Sequence, residues 1–330
     1  QKDSTMRKVS ATIGVLAATM AFGAQAETLT IYTSVPTEIM SDIETAFEDA
    51  NPDIDLKVFR SGTGKITARI ATEREAGGIR ADVVWVADFS YYDSLKADNL
   101  LMQYTPQNAE NVPAAMRDEE GYYTGARMIS MVIAYNTEIV DEPPQGWNDL
   151  RDARWEDQIA MANPLYSGAA LDTVGALTMN YGLEYYRGLR SNGATAVRGN
   201  SGTARKIASG EYPVGITLDY IVRGQRANGA NIDLVYPKDG AVAIPSPIGI
   251  IKGTDNAEDA QTFVDFAVSE KGQTALRDLG SFIPVLPSIE SPEDAPALGD
   301  LAESAISINW NYIGTNSDFL RDRFTSIMLD

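Results

Sequence analysis

The chain has 330 residues, with 46 acidic against 27 basic side chains and a formal net charge of −19. That balance excludes a nucleic-acid partner, which needs clustered Lys and Arg, and disfavours adhesion to anionic lipid. There is no cysteine and no histidine, which removes disulfides, Cys- and His-based nucleophilic catalysis and zinc sites built on those ligands, and leaves open an enzyme built on carboxylates, for example a glycosidase.

Met6 reads as a start, with residues 1–5 an upstream extension. Arg7 and Lys8 precede an apolar run over 9–22, and Ala24-Gln25-Ala26 has the small-residue pattern of a cleavage site. This is the layout of a secretory signal peptide cleaved after Ala26. Its apolar part is shorter than the ~20 residues needed to span a bilayer.

Downstream, "TLTIYTS" (28–34) reads as a buried strand. A helix over 37–52 follows, with Ile39, Ile43 and Phe47 at helical spacing. "IDLKVF" (54–59) is a strand, Ser61-Gly62-Thr63-Gly64 a loop, and the stretch to about Ala76 a helix. "ADVVWVAD" (81–88) is a continuous apolar strand and 89–101 a helix. Strands alternating with helices at this spacing predict βαβ units on a parallel sheet.

The pattern then changes. "ARMISMVIAYNTEIV" (126–140) is a long β-rich crossing, and "WNDLRD" (147–152) opens a helix. A second α/β block follows: strand 158–163, helix 167–182, glycine-led helix 199–211, strand 212–220 and strand 232–237. "GAVAIPSPIGIIKG" (240–253) is a second β-rich crossing, 257–280 is helical, and 298–328 is mostly helical. Two α/β blocks joined by two extended crossings predict two lobes around a central ligand cleft. Lobe 1 would comprise 27–128 plus 245–290, and lobe 2 would comprise 129–244 plus 291–330, including the C-terminal helices.

The loop at Ser61 is no nucleotide-binding loop. Phe59 stands where a P-loop needs its first glycine, Ile66 replaces the hydroxyl after Lys65, and Thr67 breaks the dinucleotide pattern. A wider pattern gives it meaning. Ser-Gly-small recurs at Ser61-Gly62-Thr63, Ser167-Gly168-Ala169 and Ser201-Gly202-Thr203, with Asn200 just ahead of the last. Each stands at an expected helix start. Either these are three unrelated N-caps, or they converge on one anion with their free N–H groups and favourable dipole ends. In the second case the hydroxyls of Ser34, Ser61, Thr63 and Ser167 complete a neutral cage with no basic patch. Asp88 and Asp219 stand just past strand ends, where they either enter the cleft or cap the following helix. Tyr220 either lines the pocket or joins the core.

With these segments in this order, almost the whole chain after residue 26 resembles periplasmic substrate-binding proteins of ABC importers, in the ferric-binding-protein-like branch. "LTIYTS", "ADVVWVAD", "MISMVIAYNTEIV", "YSGAALDTV", "GNSGTARKIASGEYPVGI" and "AEDAQTFVDFAVSEKGQTAL" carry the likeness. The resemblance implies a periplasmic binding protein, not an enzyme. It implies a type II-like two-lobe fold, hinge closure near 126–134 and 243–250, no cofactor, a monomer and a permease partner. Iron binders of the branch place a histidine, a glutamate and two adjacent tyrosines on the metal. Those positions fall here near Pro36, near Ala87 and on Tyr220-Ile221, so the metal ligands are largely missing. The branch's phosphate-binding residues match Ser167-Gly168-Ala169 and Asn200. That combination implies a small phosphonate or organophosphate on Ser34, Ser61, Gly62, Thr63, Ser167, Gly168, Ala169 and Asn200. An amine or hydroxyls would then be held by Asp88, Asp219 and Tyr220. Leu218 beside Asp219 argues against a sugar, and the two acids suit a compact ammonium, so 2-aminoethylphosphonate is the expected ligand. A ferric or ferric-complex binder, a hexose-phosphate binder and a polyamine binder are the alternatives.

Overall fold

The structure, a computed structural model, describes residues 27–329. The signal-peptide reading therefore lies outside the described residues. In chain order the elements are β1 (Glu27–Thr33), α1 (Thr37–Glu48), β2 (Ile54–Arg60), α2 (Thr63–Glu75), β3 (Val83–Trp85), α3 (Phe89–Ala97) and β4 (Thr124–Asn136). Next come β5 (Ile159–Ala162), α4 (Gly168–Tyr181), α5 (Glu184–Ser191), β6 (Thr195–Val197), α6 (Asn200–Ala208), β7 (Val214–Leu218), α7 (Asp219–Ala227) and β8 (Ile232–Val235). The chain ends with β9 (Val242–Ile250), α8 (Ala257–Ala267), α9 (Glu270–Gly280), α10 (Leu298–Ser304), α11 (Trp310–Thr315) and α12 (Ser317–Met328).

The strands form one sheet in the order β2-β1-β3-β9-β4-β7-β5-β6, with β8 also on β4. Within each block the pairs are parallel: β1 with β2 and β3, β5 with β6 and β7. The two crossings join the blocks as antiparallel strands. β9 runs beside β3 and then β4, while the C-terminal half of β4 turns to β7 and β8. The result is the mixed α/β two-lobe architecture, with β4 and β9 as the only pair carrying the sheet from one lobe to the other among the described residues.

Helices on both faces explain the continuous apolar strands. Val83 and Trp85 join the large core with Phe47 and Phe263, whereas Val84 and Val86 join a second cluster with Ile66, Ile70 and Tyr92 on the opposite face. α1 buries Met40, Ile43 and Phe47 at i, i+3 and i+7, and the Phe47 and Phe263 rings meet edge-on at 5.1 Å. Tyr185 and Tyr186 are core residues.

Local details depart from expectation. The helix foreseen over 257–280 is two helices. Ser269 caps the second by accepting the Gly272 N–H at 3.0 Å, and a Cβ on Gly272 would sit 1.8 Å from the Phe266 carbonyl oxygen. The strand foreseen over 212–220 stops at Leu218, and Asp219 opens α7. The helix at "WNDLRD" is a single 3-10 turn anchored by buried Trp147.

Candidate functional site

A cavity of about 450 Å³ lies where the two lobes meet. Ser34, Ser61, Gly62, Thr63, Ser167, Ala169, Asn200 and Tyr220 all line it. Three helix starts converge there. In α2 the first amides to fold back are those of Lys65 and Ile66, both onto the Gly62 carbonyl. In α4 they are Ala170 onto Ser167 Oγ and Leu171 onto the Ser167 carbonyl. In α6 the first is Thr203 onto the Gly199 carbonyl. The amides ahead of these carry no intrahelical bond. Neither α2 nor α6 has a side-chain cap, which leaves their positive dipole ends open to a ligand.

Asn200 and Ser167 are joined at 3.0 Å between Nδ2 and Oγ, and Asn200 Oδ1 is buried without a hydrogen-bond partner. The other orientation of the amide fits the same atoms: Ser167 Oγ–H then donates to Oδ1, and Nδ2 turns to the cavity as a donor. Ser34 Oγ accepts from the Ala87 N–H at 3.1 Å, leaving its own hydrogen to donate inward.

The neutral cage foreseen from the sequence is corrected by four arginines. Arg60, Arg127, Arg198 and Arg205 line the cavity, and among the described residues none of them forms an ion pair. Arg127 forms the floor. It is 1% exposed, its Nε donates to Ser246 Oγ at 3.3 Å, and its Nη1 has no partner. Its guanidinium lies over the Phe282 ring at 4.5 Å and near Trp85 and Tyr220. Burial pushes the Arg127 pKa down, with the Tyr220 oxygen working against that shift. Burial likewise raises the Tyr220 phenol, against the opposing charges of Arg127 and Arg60. Arg127 is aimed by a β-bulge: the β4–β9 register slips between Gly125 and Arg127, leaving Ala126 as the extra residue. Arg60 is tied to the Val35 carbonyl, and Arg198 stacks over Tyr166.

Both acids foreseen as possible cleft residues are elsewhere. Asp88 caps α3, accepting from the Tyr91 N–H and Ser90 Oγ, and does not line the cavity. Asp219 accepts from the amides of Ser130 and Tyr220, from Arg223 and from the Tyr236 hydroxyl. Its carboxylate is thereby used up inside lobe 2. Among the described residues, the one carboxylate on the cavity wall is Glu38, an exposed residue in the first turn of α1. Gly168 is not on the wall either; it is where the lobes touch, since a Cβ there would lie 2.1 Å from the Ala87 carbonyl oxygen. Gly62 and Gly64 meet the carbonyls of Tyr166 and Leu165 in the same way. The lobes are thus closed on each other through glycine-to-backbone contacts.

Comparison with known proteins agrees with this architecture. Residues 80–316 match the family described as bacterial extracellular solute-binding protein. A Salmonella typhimurium periplasmic protein, provisionally named for 2-aminoethylphosphonate binding, is 22% identical over 254 residues, 73% of this chain and 72% of its own. The major ferric iron-binding protein of Neisseria meningitidis serogroup B is 24% identical over 297 residues, 84% of this chain and 87% of its own. Among solved structures, AfuA of Actinobacillus pleuropneumoniae with fructose-6-phosphate superposes with a TM-score of 0.83 at 24% identity, covering 92% of this chain and 98% of that one. Iron-bound HitA of Pseudomonas aeruginosa gives 0.81 at 22% identity, covering 92% and 100%. The chain belongs to the bacterial extracellular solute-binding proteins, periplasmic substrate-binding components of ABC importers that carry a ligand to a permease and do not transform it.

Proposed function

We propose that the protein captures a small organophosphate or phosphonate in the periplasm and delivers it to its importer. The observation that carries this reading is the meeting, around one cavity, of three helix N-termini and four arginines that form no ion pair among the described residues. A tetrahedral oxyanion takes many donors from several sides, and charge-assisted bonds from Arg are the strong ones. The head group would sit on the amides and hydroxyls of Ser61-Gly62-Thr63, Ser167, Ala169 and Asn200-Ser201, with Ser34 and Arg127 below it. Tyr220 would face the ligand's body.

The relatives bear on the choice of ligand in different directions: one is named for 2-aminoethylphosphonate, one for ferric iron, and one solved neighbour holds fructose-6-phosphate. For 2-aminoethylphosphonate the ammonium would pair with Glu38, since Asp88 and Asp219 do not reach the cavity. Bare ferric iron is disfavoured by the four guanidinium groups and by hard anionic oxygens limited to Glu38 and the phenols of Tyr166 and Tyr220. The arginines also oppose a polyamine.

A thermal-shift panel of inorganic phosphate, 2-aminoethylphosphonate, fructose 6-phosphate, glycerol 3-phosphate, spermidine and ferric citrate tests the reading. A ligand at ~100 times its dissociation constant should add about 2.7 kcal/mol of stability. Stabilisation by ferric citrate or spermidine alone would overturn the proposal.

A further inference from the structure

The geometry points to a ligand with a second anionic group, recognised by Arg205 where the cavity opens outward. This deepens the proposed function and rests on it.

The cavity wall carries four guanidinium groups against the single Glu38 carboxylate. A phosphate or phosphonate dianion on three helix starts and the Arg127 floor leaves positive charge over. The excess is local, in a chain whose formal net charge is −19, and it is concentrated in arginines that no carboxylate neutralises among the described residues. Their positions divide them. Arg127 is buried at the floor; Arg60, Arg198 and Arg205 are exposed at the rim.

Arg205 differs from the other two. Together with Ser201 and Gly202 on the same face of α6, it lines both the cavity and an adjoining groove of about 1150 Å³. The head-group site therefore has an open end, where the Arg205 guanidinium stands together with the Glu38 carboxylate, which lines both spaces as well, and Asp42 lines the groove beyond. Its neighbour Lys206 is already paired with Glu211, which leaves Arg205 as the free cation at the junction among the described residues. A phosphorylated molecule longer than its head group extends to this point, and a carboxylate or second phosphate there completes the charge balance. A neutral tail gains less, and an ammonium tail has Glu38 to pair with but faces the surplus of guanidinium groups. The planar fork of Arg suits a carboxylate bidentately in a way that a general field does not.

Titration calorimetry on the purified protein at physiological salt would compare 3-phosphoglycerate, glycerol 3-phosphate, 2-aminoethylphosphonate and inorganic phosphate. 3-Phosphoglycerate should bind at least tenfold more tightly than glycerol 3-phosphate, with 2-aminoethylphosphonate weaker than both. Arg205→Gln, at an exposed position, should close the gap by weakening 3-phosphoglycerate at least fivefold more than glycerol 3-phosphate. Equal affinity for the two, tighter binding of 2-aminoethylphosphonate, or an equal loss for both ligands in Arg205→Gln would overturn the inference while leaving the head-group site standing. The last result would mean that Arg205 only steers anions inward. Failure of all four compounds to bind would overturn the proposed function, and this inference with it.

Discussion

Gln273 of α9 donates from Nε2 to the carbonyl of Ala126 at 2.6 Å, and Ala126 is the extra residue of the bulge that precedes Arg127. The same side chain also donates to the Ala267 carbonyl and accepts from the Val285 N–H at 2.8 Å, all in a fully buried setting. A bulge leaves a ladder carbonyl without its strand partner. Gln273 supplies one and so fixes the direction in which Arg127 leaves the strand. Gln273→Leu should leave three buried backbone groups bare and cost about 3 kcal/mol, a fall of roughly 6–12 °C in melting temperature. Ligand affinity should fall more than tenfold at temperatures where the variant is still folded. Calorimetric melting together with titration checks both, and unchanged affinity would show that the bulge keeps its shape without the amide.

Arg127 should be a liability to the empty protein. A buried guanidinium with an unpartnered Nη1 and no carboxylate nearby is an uncompensated charge. Arg127→Met keeps the bulk over Phe282 and removes the charge. The unliganded variant should be more stable by about 1–3 kcal/mol, whereas the stabilisation that wild type gains from saturating organophosphate should disappear. Scanning calorimetry with and without ligand reads both terms. Destabilisation of the empty variant would mean that the guanidinium contributes more by packing than its charge costs.

Gly168 tests closure separately from chemistry. Alanine there is favourable for a helix start, yet its Cβ would lie 2.1 Å from a backbone oxygen of the other lobe and 2.7 Å from Asp88 Cβ. Backbone cannot step aside as a flexible side chain can. Gly168→Ala should hold the lobes apart, weakening ligand binding about tenfold or more, a change of ~1.4 kcal/mol. The melting temperature of the empty protein should move little. Small-angle scattering should show the ligand-dependent compaction of wild type reduced or lost; full compaction in the variant would place the contact outside the closing motion.

The sequence showed where backbone would be offered to a ligand more clearly than where charge would be. Ser61-Gly62, Ser167-Gly168 and Ser201-Gly202 are legible because a helix start has a local signature, and the alternation of strands and helices brings the starts to one edge. The arginines have no such signature. Arg60 and Arg198 stand immediately ahead of the first and third loops, where they read as ordinary soluble positions. Arg127 is the more informative residue: a lone charge inside an otherwise apolar strand is rarely buried without a purpose. Asp88 and Asp219 show the opposite limit. The end of a strand fixes where a residue stands but not where its carboxylate points, and nearby amides claimed both. The missed α7 has the same origin, since Asp219 reads equally as a strand's last residue and a helix's first.

Asp172 carries the remaining prediction. It lies on α4 one turn beyond Gly168 and is fully buried, and no side chain hydrogen-bonds to its carboxylate among the described residues. Burial raises its pKa well above the ordinary carboxylate range, the charge of Asp88 adds to the rise, and Arg321 on α12 and the Phe89 amide work against it. Asp88 is itself raised by burial, with Ser90, Arg321 and the Tyr91 amide opposing. For a group whose folded pKa exceeds its unfolded value, the folded state binds more protons between the two values, so stability falls as pH rises through that window. The window opens near the unfolded aspartate value of about 4 and runs upward. Wild type should therefore lose melting temperature steadily from mildly acidic pH toward pH 8. Asp172→Asn keeps the shape, removes the titration and relieves Asp88 of its neighbour. The variant should melt higher than wild type at pH 8, and the two should converge as pH approaches 4. Parallel curves across that range would mean that Asp172 is already neutral, or already satisfied, throughout it.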